Sequence, residues 1–205
     1  TGPRSTRSPR PSGWRRTAPR PGISPPTPAR CSPTSTGALR RTARAAIEPL
    51  TAANALLQGD PPQPEMLAVW RKAQGQAAFW LGHVAYTQRR FDAAGSAWTR
   101  YREVSRQWVS ADPKSTDAQV ELAYADNNLG ILLLDQGRLQ DAQQAFVDAV
   151  AAMQRVLQQR PDDAGLRSEW AVALSWLGST LTQRGRYAQA EQVFRQALEH
   201  AQSVL

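Results

Sequence analysis

Side chains able to do chemistry are few and far apart in this 205-residue chain. The histidines are His83 and His200 and the one cysteine is Cys31, so no His/Cys set has the close spacing of a metal site. No glycine-rich phosphate loop occurs. Gly82, Gly130 and Gly178 instead recur at a constant interval of 48 residues, which marks packing positions. Asp112 precedes Pro113 and Asp162-Asp163 follow Pro161, so these acids read as loop and helix-cap residues. Paired carboxylates would need a dry cleft for acid–base work, and nothing in the composition promises one. The expectation is a protein without enzymatic activity, without metal or cofactor, that offers a surface.

What must position that surface is a tandem repeat. Leu129-Gly130, Leu139, Ala142 and Phe146 have counterparts 48 residues earlier in Leu81-Gly82, Phe91, Ala94 and Trp98, and 48 later in Leu177-Gly178, Tyr187, Ala190 and Phe194. Pro113 and Pro161 keep the same interval, as do Glu121 and Glu169. A fixed offset in three copies means one supersecondary unit repeated. Within the unit, Ala118, Leu122, Ala125, Leu129, Leu132 and Leu133 recur at helical spacing, and Gln136-Gly137-Arg138 breaks the run, since Gly tolerates the positive φ that ends a helix. A second helical run extends from Leu139 to Val156 and stops at Arg160-Pro161-Asp162-Asp163. Gly130 and Gly178 would let the second helix come close to the first, and Phe146 and Phe194 would fill the space between hairpins. Trp98 replaces those phenylalanines and Trp170 replaces Leu122, which makes both core residues; Trp80 and Trp176, two intervals apart, are expected in the seams between repeats.

With the Leu-Gly pair, the Gly-Arg turn, the Ala, the aromatic and the closing Pro in this order, the chain resembles the tetratricopeptide repeats. The resemblance implies an all-α fold, a right-handed α-solenoid of antiparallel helix hairpins. The common repeat is about 34 residues and this one is 48; the surplus falls as seven residues after the aromatic segment and seven after the proline. Seven residues are close to two turns at about 3.6 per turn, so each helix lengthens without rotating its buried face. Such long repeats are similar to those in C-terminal regions of large bacterial signalling proteins, kinases and ATPase-type regulators among them.

The resemblance also implies where a partner would bind, in the concave groove lined by the first helix of each pair. Carried over, that face is Gln76, Phe79, His83, Tyr86 and Thr87 in the first repeat, Tyr124, Asn127, Ile131, Leu134 and Asp135 in the second, and Val172, Ser175, Ser179, Thr182 and Gln183 in the third. For Phe79, Tyr124 and Ile131, packing against a neighbouring helix is an equal alternative. None of these positions is Lys or Arg, the residues with which related repeats clamp acidic C-terminal tails, so such a ligand is disfavoured. The expected partner is a peptide or helix held by apolar contacts, with the Asn127 amide donating to and accepting from an extended backbone.

Composition divides the chain in two. Residues 1–44 hold ten arginines and no acidic residue, and the remaining 161 carry 15 basic and 17 acidic side chains, so the net charge of +8 belongs to the N-terminal segment. Residues 1–37, rich in Pro, Arg, Ser and Thr, cannot bury enough surface to order themselves and read as a disordered tail. A linker or a misassigned start is favoured for them over nucleic-acid binding through the arginines. Residues 38–60 read as a degenerate second helix capping the stack, and residues 61–205 as three hairpins, about 65–112, 113–160 and 161–205. Apolar residues continue to Leu205, so further repeats, a partner or self-association through the last helix are expected there. A lone cysteine suits a reducing, cytoplasmic setting, and no apolar run approaches the ~20 residues of a membrane span. Alternative roles are a regulatory or self-association arm of a larger signalling protein.

Overall fold

The computed structural model describes residues 47–202; the expected tail over 1–37, the start of the capping segment and the last three residues lie outside the described residues. Residues 47–56 form a helix, α1, continuous through Pro49. A 3-10 turn at Pro64–Met66 leads into six longer helices: α2 (Leu67–Thr87), α3 (Phe91–Ala111), α4 (Thr116–Asp135), α5 (Leu139–Gln159), α6 (Ala164–Gln183) and α7 (Tyr187–Gln202). No strand occurs among the described residues. The pairs α2/α3, α4/α5 and α6/α7 pack as hairpins, α3 meets α4 and α5 meets α6, and the first helices α2, α4 and α6 touch in succession. This is an all-α solenoid.

The helix ends repeat with the sequence. Ser115 and Asp163 cap α4 and α6 by accepting from the amides of Ala118 and Leu166, at 3.2 and 2.9 Å. At the hairpin turns Gly137 and Gly185 take φ of 73° and 72°, and Arg89 holds the same left-handed position in the first hairpin at φ 58°. The amides of Arg90, Arg138 and Arg186 then close each helix on the carbonyls of Ala85, Leu133 and Leu181, all at 2.9 Å, the six-residue closure that a left-handed residue permits.

Each hairpin is drawn together at a helix glycine. A Cβ placed on Gly130 would stand 2.7 Å from the Phe146 ring and one on Gly82 2.3 Å from the Trp98 indole, so only Gly admits these rings. Trp98, Phe146, Met153, Val156 and Leu174 are fully or almost fully buried, in clusters that bridge consecutive hairpins. Trp170 is also buried, as its alignment with a core position implies, whereas Leu122 itself is half-buried. Trp176 fills its seam, stacked on Phe146 at 6.3 Å and 9°.

Two aromatic expectations need correction. Trp80 is 49% exposed, because the residue in the Phe146-equivalent position of α1 is Leu50, too small to offer a stacking ring. Phe194 packs against Gly178 within its hairpin but is 40% exposed, since no described helix follows α7.

Candidate functional site

The residues expected to line a groove occupy equivalent positions on α2, α4 and α6, the three helices that stand side by side. Gln76, His83, Thr87, Asp135, Val172, Ser175, Thr182 and Gln183 are exposed; Phe79, Tyr86, Tyr124, Asn127, Ile131, Leu134 and Ser179 are half-buried. The half-buried ones are held by neighbours. The Phe79 ring meets Tyr101 edge-on at 6.0 Å, Tyr124 packs against the clusters on either side of α4, and Ile131 and Leu134 rest on the cluster around Phe146 and Leu177. The Tyr86 hydroxyl donates to the Asp135 carboxylate at 2.5 Å and so joins the ends of α2 and α4. Burial, with this bond to a carboxylate, pushes the Tyr86 phenol up to about 12. On α6 the hydroxyls of Ser175, Ser179 and Thr182 donate to carbonyls one turn earlier in their own helix, each at 2.9 Å.

The face differs from end to end. On α2, His83 stacks on Phe79 at 6.0 Å and meets Trp80 edge-on at 5.6 Å, which makes an exposed aromatic patch. On α6 the equivalents of Phe79 and His83 are Ser175 and Ser179, and the equivalent of Trp80 is Trp176, which is turned into its seam. At the other end of the first helices, Tyr124 lines a recess with Lys72, Glu121, Arg160 and Glu169. Lys72 and the two glutamates escaped the sequence reading, although Glu121 and Glu169 keep the repeat interval. The Oδ1 of Asn127 is buried and accepts no hydrogen bond among the described residues.

A second unforeseen group is Asp126. Its side chain is 5% exposed, and the Arg102 guanidinium approaches it at 3.6 Å. Burial raises its carboxyl to about 6, an effect the nearby Arg102 opposes. Its counterparts one interval away are Ala78 and Leu174, both buried, so no helical pattern would single out a carboxylate here. Among the described residues no group of three or more His, Cys, Asp or Glu side chains could hold a metal ion, and no helix is long and apolar enough to cross a membrane. The His200 ring lies 4.1 Å from that of Trp170, far along the chain from His83.

Residues 123–163 and 170–205 match the family model of the tetratricopeptide repeat. The match supports a tetratricopeptide repeat domain. It covers most of the α4/α5 hairpin and most of the α6/α7 hairpin. No curated protein matches the chain. Tetratricopeptide repeats generally mediate protein–protein interaction, and α2/α3 packs against the first of the two matched units.

Proposed function

We propose that the face made by α2, α4 and α6 receives a segment of a partner protein, and that the chain acts as a non-enzymatic interaction scaffold. The observation that carries this reading is the aromatic patch of the exposed Trp80 and His83 on the half-buried Phe79, on the first of three side-by-side first helices. An apolar side chain of the partner would seat on that patch, since half-exposed large rings are favoured anchors in interfaces. The polar end, with Ser175, Ser179, Thr182 and Gln183, would bond the partner's backbone. Asn127 would join by turning its amide over, exchanging its unbonded oxygen for its donor group. A 48-residue form of the repeat, and a cytoplasmic setting suited to a single cysteine, belong to the same proposal.

Selection of peptides from a displayed random library, followed by calorimetry, tests it. Trp80→Ala and Asn127→Ala should each weaken a selected peptide at least about tenfold, or ~1.4 kcal/mol, with unchanged helical content and melting. Affinity that survives both substitutions in well-folded variants would sink the proposal. A regulatory or self-association arm of a larger signalling protein is the second reading; it is favoured by Tyr187 (69%), Phe194 (40%) and Leu198 (57%) lying exposed on α7. Light scattering that finds a monomer at high concentration counts against self-association.

A further inference from the structure

The side of the solenoid lined by the second helices holds a cleft of about 740 Å³ between α3 and α5, floored by α4. Its floor is apolar, with Phe91, Leu129, Leu132 and Leu133, and its rim is acidic, with Asp92, Asp141 and Asp148. The opening has a cause in the sequence. At this seam α3 contributes Gly95, Ser96 and Thr99; one interval later α5 has Gln143, Gln144 and Val147, and Gln143 there accepts a hydrogen bond from Arg184 across the seam. A cleft is left in the first case and closed in the second.

The two cations in the cleft are already engaged. Arg138 donates to Asp141 through Nε and Nη2 at 2.9 and 2.6 Å, and Arg102 faces the buried Asp126, whose Oδ1 accepts no hydrogen bond. Asp148 accepts only from the Gln144 amide, and Asp92 has no ion pair among the described residues. Of the three carboxylates that rim the cleft only Asp141 is paired with a guanidinium there, and Asp92 and Asp148 lie over an apolar floor that suits the methylene stem of an arginine.

The position of α1 supplies the occupant. Ile47, Thr51 and Asn54 line a recess with Ala93, Ala97 and Arg100 on the far side of α3, and Ser96 borders both this recess and the acidic cleft. Ile47, where the described residues begin, is therefore separated from the cleft by one helix, about 10 Å across. The chain before Ile47 carries Arg44, Arg41 and Arg40, and its first 44 residues hold ten arginines and no acid. Even with the residues from 38 onward helical, as the sequence reads, the six or seven residues before them span ~20 Å at about 3.3 Å per extended residue, enough to carry Arg30 and the arginines before it across α3. Tethering also keeps this segment at a high effective concentration.

We propose that the arginine-rich segment 1–44 docks within its own chain in the acidic cleft between α3 and α5. Cys31, the one cysteine, provides the test. A nitroxide attached there should broaden the amide resonances of Gly95, Ser96, Thr99 and Gln144 and spare those of Gln76, Ser175 and Gln183 on the opposite face. The broadening should vanish near 1 M salt, where the screening length falls to ~3 Å, and in the triple variant Asp92→Asn, Asp141→Asn, Asp148→Asn, with its spectrum checking the fold. If that variant unfolds, the salt arm still decides. Broadening that is absent, uniform or insensitive to salt overturns the proposal. So does broadening of an isotope-labelled chain by a separate nitroxide-bearing copy, which would place the segment in a neighbouring molecule.

Discussion

The second and third hairpins make the same contact in two settings. In each, a Cβ on the first-helix glycine would lie 2.7 Å from a phenylalanine ring of the second helix, at Gly130–Phe146 and at Gly178–Phe194. Phe146 is nevertheless fully buried and Phe194 is 40% exposed. The difference is the hairpin that follows: Trp176 of α6 lies flat on Phe146, and nothing described covers Phe194. Closure of a hairpin is therefore a local property of its glycine, whereas burial of its aromatic belongs to the neighbour, as expected when each repeat contacts only the adjacent ones. The buried Asp126 extends the lesson, since the third hairpin holds Leu174 in the same place.

The largest effect is expected at the two phenylalanines. Phe146→Ala should cost roughly 3–5 kcal/mol, and Phe194→Ala about half of that at most, read from urea unfolding followed by helical signal. Equal costs would mean that the following hairpin adds nothing to the Phe146 site.

The next effect is a pH dependence confined to the second hairpin. The Asp126 carboxyl is raised to about 6 in the folded chain, against 3.8 for the exposed group. Between those values the folded state holds a proton that the unfolded state has lost, so this group's contribution falls as pH rises through the window and levels off above it. The drop is about 2–3 kcal/mol at about 1.4 per unit. Asp126→Leu, which copies Leu174, should flatten the stability profile between pH 4 and 6 relative to the parent and raise the melting temperature at pH 7. Parallel profiles for parent and variant would show that Asp126 titrates normally.

The smallest effect is the most local. Gly130→Ala should cost about 1–3 kcal/mol, because the Phe146 ring is enclosed and cannot yield. Gly178→Ala should stay within about 1 kcal/mol of neutral: the half-open Phe194 ring can swing away, and Ala returns roughly 1 kcal/mol in helix propensity. Thermal melts of the two variants give the comparison directly. If Gly178→Ala is the more costly, enclosure by the next hairpin is not what makes the site rigid.

Much of this architecture was legible in the residues alone, for reasons that the same residues display. Gly137 and Gly185 announce a left-handed turn because few other residues reach that φ cheaply, and Asp163 announces a cap because its side chain reaches the unpaired amides of a first turn, whereas the Ser115 cap emerged only from the structure. The constant offset of Leu-Gly, Ala and aromatic then requires like units stacked on like. Arg89, by contrast, took the left-handed position without the signature residue, and the turn was readable there only through its neighbours.

What the linear order determined by itself is everything that acts within one helix or one hairpin: helical faces, turns, caps and the pairing of glycine with a ring. The tertiary structure alone decided what lies between hairpins. It left Trp80 half exposed while covering Trp176, buried an aspartate opposite Arg102 and opened a cleft where α3 has small side chains. The physical reason is that exposure and charge environment depend on the side chains a neighbouring helix brings to the same point, and a repeat pattern specifies that a neighbour exists without specifying what it carries there.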